Sequence, residues 1–140
     1  MNWKKFWLVA FLVFVAYFAT NMLIHVVILG DEYMKPDIQQ AMRPEGEMNA
    51  YFWVRIVTMA VFAFFFTFIF AKGYERKGII EGMRFGIYIT LFYFVVTSFE
   101  QFMIYPIPYR AVRYWIAAGF VQSVIMGIIA ALVYKPKKTP

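Results

Sequence analysis

Four apolar runs separated by short charged segments decide what this chain can become. They lie at about residues 6–29, 50–71, 82–104 and 113–134. A helix of such a run matches the ~30 Å hydrocarbon core of a bilayer at ~1.5 Å rise per residue. A spanning strand needs only about 9–11 residues and alternates in polarity, which these runs do not. In lipid the backbone must satisfy its own hydrogen bonds, so unbroken runs of this kind become helices. The expectation is an all-α, four-helix transmembrane bundle, one integral membrane domain over residues 1–140. Composition points the same way. The chain is 63% hydrophobic and 16% charged, whereas a soluble domain is nearer half apolar and a quarter charged. A soluble core of this size could not hide 17 Phe, 10 Tyr and 4 Trp residues.

The net charge of +6 does not call for nucleic acid, because the basic residues sit at the ends of the runs. Lys4, Lys5, Lys72, Arg76, Lys77, Arg84, Lys135, Lys137 and Lys138 fall on one side. Lys35, Arg43, Arg110 and Arg113 fall on the other, with Arg55 just inside the membrane. The positive-inside rule then places both termini in the cytoplasm, N-in and C-in. The N-terminus has the basic start of a signal peptide, but its apolar run continues too long. It reads as an uncleaved first span. With no cysteine, disulfides, Fe–S clusters and Cys-ligated zinc are excluded. No HExxH, Walker or Rossmann pattern occurs, so no catalytic residue and no metal site is expected. No cofactor is expected either. A bis-histidine haem needs two imidazoles and His25 is the only histidine. Single axial ligation of haem or chlorophyll by His25 is the weaker alternative.

Several polar residues lie within the runs. Glu100 and Gln101 fall in the far half of the third. A carboxylate there is costly, by about 2.5–3.5 kcal/mol on insertion scales. Asn21 and His25, four apart, share one face of the first run, and Arg55 enters the second from the same side of the bilayer. At ~1.5 Å per residue these five reach a common depth in the outer half. The expected arrangement is a Glu100–Arg55 ion pair, with Asn21, His25 or Gln101 completing its hydrogen bonds. Such a cluster is either a structural clasp or the lining of an outward-facing cavity that holds a polar ligand or carries a proton. Glu81 and Arg84, three apart, are expected to pair at the interface.

Helices in lipid associate by close approach through small residues. Gly78, Gly82 and Gly86 recur every four residues at the start of the third run. Gly119, Ser123 and Gly127, with Ala131, do so in the fourth; Ala63, Thr67 and Ala71 do so in the second. These ridges are expected to pack the bundle internally, or, on the fourth span, to dock a membrane protein partner or a second copy. The first run is bulkier and is expected to face lipid most. In the first outer loop, Asp37 behind Pro36 suggests a cap for a short helix over 37–43, ended by Pro44 and Gly46.

Four segments in order, NMLIH, MRPEGEM, KGIIEGMRFG and YPIPYR, resemble a group of small, uncharacterised four-span bacterial membrane proteins. In that group an I-H pair, an R-P-x-x-x-M loop and a K-G-x-x-x-G-x-R-[FY]-G segment recur. The resemblance covers nearly the whole chain. It implies a bacterial inner-membrane protein and no particular activity. Two functional readings follow from the residues. One is a non-catalytic accessory or assembly subunit of a larger membrane complex. The other is a small homodimeric carrier or ligand-binding protein that uses Glu100, Arg55 and His25.

Overall fold

The computed structural model describes residues 1–134, and these form an all-α four-helix bundle. The spans are Trp3–Ile28, Phe52–Lys72, Ile79–Ile104 and Tyr109–Val133, each long and apolar enough to cross a membrane. Four such helices fit a small multi-pass integral membrane protein. The basic tail at 135–140 lies outside the described residues.

Local chemistry sets the ends of the spans. Asn2 caps the first, its side-chain oxygen accepting from the Lys5 amide at 3.3 Å and so satisfying one orphan donor. Gly78, at φ +67°, turns the chain into the third span; glycine adopts that conformation without strain. Glu81 then closes the preceding loop. Its carboxylate is 3% exposed and accepts from the amides of Glu75 at 2.6 Å and Lys77 at 2.8 Å. The expected Glu81–Arg84 pair is therefore not made. Arg84 pairs with Glu75 at 2.8 Å instead, because Glu81 is already committed to the backbone. The fourth span begins at Tyr109, one turn earlier than its first charges suggested. Pro108 in extended conformation leads straight into it.

Two seams hold the third span. Against the fourth it packs through glycine. A Cβ built on Gly86 would lie 2.5 Å from the carbonyl oxygen of Ser123, and one on Gly82 would meet the backbone of Gly127. Gly119 makes room for the ring of Phe94. The two small-residue ridges thus interlock antiparallel, and Ser123, Gly127 and Gly119 are used inside the chain. Gly78 lies outside this seam, with nothing within 4 Å of its built Cβ; its role is the turn. Against the second span the third packs through rings. Phe62, Phe66 and Phe70, four apart, meet Tyr93 at 5.2 Å, Phe85 at 4.8 Å and Phe85 again at 5.4 Å.

The buried core gathers Phe6, Val9 and Val13, then Ala63, Phe66 and Phe70, then Met126, Ala130 and Tyr134. All lie toward the end of the bundle that holds the N-terminus. The opposite end, which carries the 30–51 loop and the turn at 105–108, is looser. There the first span ends in a π-helical stretch, Leu23–Ile28, with no buried residue. The third has a similar stretch at Thr90–Val95. The first span shows most of its surface, as its bulk suggested.

Candidate functional site

The loop that roofs the open end is mostly helical. It contains three short helices, Gly30–Tyr33, Pro36–Gln39 and Glu45–Ala50. The helix expected over 37–43 is thus shorter and starts earlier, with Pro36 in its first turn and Lys35 at the cap. Asp37 is not the cap. Its carboxylate accepts from Arg110 Nη2 at 2.6 Å. Glu32 takes the same guanidinium through Nε and also Lys35 at 2.5 Å. One arginine from the fourth span thus clamps two helices of the loop, and Ile38 of the second is fully buried. Hydrogen bonds from Lys35 and then Arg110 hold the Glu32 carboxyl below the usual range. The bond from Arg110 does the same for Asp37.

Beneath this roof is a cavity of about 840 Å³. Asn21, His25 and Val26 of the first span form one wall, and Arg55 and Thr58 of the second form another. Its deep side is Tyr17, Met59, Phe62 and Tyr93; Tyr33, Met34, Met42 and Met48 line it from the loop. Four of the nine methionines therefore line this one space. Methionine is flexible and polarizable, and it suits surfaces that adapt to an apolar ligand.

A hydrogen-bonded triad fixes the imidazole. The Tyr33 hydroxyl accepts from Trp115 Nε1 at 2.9 Å and lies 2.6 Å from His25 Nδ1. An indole can only donate. The oxygen has a second lone pair and a hydrogen of its own, so it serves Nδ1 as donor or as acceptor according to the imidazole tautomer, and holds the ring in place either way. Burial holds the Tyr33 phenol protonated above its usual range, while the Trp115 bond and the Arg55 charge pull the other way. The hydroxyl therefore keeps its hydrogen.

The five expected polar residues do not all meet. Asn21, His25 and Arg55 line the cavity together. Glu100 does not; it is exposed on the third span. Neither it nor Arg55 makes an ion pair with a described residue. Gln101 lines a smaller neighbouring space of about 490 Å³ with Arg43, Tyr105 and Trp115. The physical reason lies one turn earlier. The expected pairing assumed an unbroken α-helix. One extra residue in a π turn rotates everything beyond it by about 100°, and Thr90–Val95 is such a turn.

Sequence reasoning missed Tyr33, Trp115 and Arg110, together with Glu32 and Asp37 as its partners. An acidic loop facing an arginine at the start of a span was the one available signal. Among the described residues no three His, Asp or Glu side chains converge as a metal-binding set. No family model matches the chain, and no significant match is found among curated proteins or solved structures.

Proposed function

We propose that this protein is a small ligand-binding membrane protein whose site is the cavity under the 30–51 loop. The observation that carries this reading is the cavity itself, about 840 Å³ and lined by Asn21, His25 and Arg55. Sites for small organic molecules run to about 300–1,000 Å³ and combine apolar walls with a few placed polar groups. Here the polar groups are Arg55, His25, Asn21 and Thr58, against methionine and aromatic walls. The count of Lys and Arg puts the termini in the cytoplasm and the cavity on the outer face. The resemblance to small four-span bacterial proteins favours the inner membrane. An accessory subunit remains the second reading. The observation behind it, small-residue ridges free for docking, is weaker, because those of the third and fourth spans engage each other.

The test is a purification in nanodiscs followed by mass spectrometry of what denaturation releases, for wild type and Thr58→Trp. The Thr58 hydroxyl bonds only carbonyls of its own helix, at 2.9 and 3.0 Å, so the indole fills cavity space rather than breaking a link between elements. A small molecule held by wild type and lost from the folded variant is expected. Equal retention by both, or nothing bound to either, defeats the reading.

A further inference from the structure

The cavity's charge, walls and opening together specify a class of ligand. Arg55 is a cation without an ion-pair partner among the described residues, and it faces Tyr17, His25 and Tyr33. Its neighbour on the rim, Arg43, is already bound to Glu47 at 3.0 Å. Glu45 also lines the space, but from the first turn of a loop helix, and it pairs with no described residue. Arg55, exposed three residues into the second span, thus offers the site a positive charge without an ion-pair partner among the described residues, with Asn21 and His25 beside it in the lining. A charge at membrane depth is retained where something pairs with it.

An inorganic anion does not fill such a site. A water's share of liquid volume is about 30 Å³, so a small anion would leave most of 840 Å³ against Met34, Met48, Met59 and Phe62. An apolar tail is needed for those walls. The route in is lateral. The Leu23–Ile28 stretch contacts its own helix and then the short Gly30–Tyr33 helix that follows it, rather than another span. Val26, which lines the cavity, is 59% exposed. At the start of the second span Phe52, Trp53 and Val54, with Tyr51 just before it, are all exposed beside Arg55. At this depth an exposed apolar side chain faces acyl chains, so the space opens to the bilayer as well as under the loop.

We infer that the cavity binds a single-chain amphiphile with one anionic headgroup, which enters from the lipid and docks its headgroup on Arg55. Carboxylate and phosphate heads share this chemistry, in charge and in their fit to a guanidinium fork. The inference rests on the ligand-binding reading above and adds the class of ligand.

The test uses the full chain in zwitterionic phosphatidylcholine nanodiscs. Oleate and oleoyl lysophosphatidic acid are titrated as carboxylate and phosphate probes. Oleyl alcohol is the neutral control, oleylamine the cationic control and acetate the tail-less control. At least one anionic probe is expected to bind about tenfold or more tighter than oleyl alcohol. The stronger of the two identifies the head. Acetate and oleylamine are not expected to compete. Arg55→Gln is expected to abolish the preference for the anion over oleyl alcohol, and Arg55→Lys to restore part of it. Should Arg55→Gln fail to fold, the wild-type comparison of oleate with oleyl alcohol decides alone. Equal binding of oleate and oleyl alcohol overturns the anionic headgroup but leaves a ligand-binding cavity. Competition by acetate at equal strength overturns the amphiphile. Binding of no probe, together with a bound molecule released from wild type, overturns the class alone. Binding of no probe and no released molecule overturns both readings.

Discussion

Replacing Gly86 by alanine tests the central packing claim most directly. A Cβ there would sit 2.5 Å from the Ser123 oxygen, 2.7 Å from its carbonyl carbon and 2.7 Å from Val124 Cα. Ordinary contact needs about 3.5–4.0 Å, so the third and fourth spans must part by roughly 1 Å. The obstacle is backbone inside a helix, which cannot swing aside as a side chain can. A gap of 0.5–1 Å forfeits about a quarter to a half of each contact's dispersion energy, and here it does so along the whole seam. Overpacking of this kind costs about 1–3 kcal/mol. Alanine gains back up to about 1 kcal/mol of helix propensity over glycine. The net expectation is a loss of about 1–2 kcal/mol in reversible unfolding by SDS in mixed micelles. Gly46→Ala is the matched control. Gly46 lies in the Glu45–Ala50 helix with nothing within 4 Å of its built Cβ, so it should be neutral or slightly stabilising. Gly82→Ala added to Gly86→Ala should cost less than the sum, since the spans have already parted. If Gly86→Ala proves no more costly than Gly46→Ala, the glycine seam is not what binds these two spans.

Other consequences follow from single contacts. Tyr33→Phe removes the hydroxyl between Trp115 and His25 and should cost about 1–2 kcal/mol, with a shift in tryptophan emission that Phe62→Leu does not produce. Glu81→Ala leaves the amides of Glu75 and Lys77 unpaired and should cost about 1–3 kcal/mol; Glu81→Gln, which keeps one acceptor, should cost less. The carboxyls of Glu32 and Asp37 lie below their ordinary range in the folded protein. Their contribution is therefore complete above the unfolded values near pH 4 and is lost only as pH falls through the lowered ones. Hydrogen exchange at 30–50 should stay protected at pH 5 and rise in stronger acid, and Arg110→Ala should remove that protection already at neutral pH. Glu75, bonded first by Lys77 and then by Arg84 and held down to about 2, should let go of its own loop last. Glu100→Gln should leave folding and Arg55-dependent binding unchanged, since Glu100 pairs with neither Arg55 nor another described residue.

The fold was legible because span length and apolar content are properties of each segment alone. The seam of Gly82, Gly86, Ser123 and Gly127 was legible for a related reason: spacing by four residues survives in any α-helix. The candidate site was legible in part. Asn21 and His25 were readable because they sit one turn apart on one segment, and Arg55 because a lone arginine inside a span needs a polar place to go. Glu100 was not, because its direction depends on the helical register upstream, and nothing in TLFYFV announces a π turn. Arg110 was misjudged for the opposite reason. Its charge suggested that the span begins later, whereas it is helical and reaches back over 70 residues to Glu32.

The position of Glu100 also explains how it stays unpaired. The third span runs for 26 residues, or about 39 Å at 1.5 Å per residue, against a core of about 30 Å. Its ends must therefore reach the headgroup zone. Glu100 lies four residues, or about 6 Å, from the end at Ile104, so its exposed carboxylate is near the edge of the core and within reach of headgroups, as the exposed Arg55 is three residues into its own span. With Glu100 elsewhere, Arg55 lines the cavity without an ion-pair partner among the described residues, and the proposed binding reading rests on that imbalance. The tight end of the bundle makes this tolerable. The core around Phe6, Phe70 and Tyr134 and the glycine seam both lie toward the N-terminal end, so the loop end can be loosely packed without unfolding the rest. Local openings are drawn from such weakly packed regions. The π-helical end of the first span, with no buried residue, is where the cavity should widen to admit a ligand.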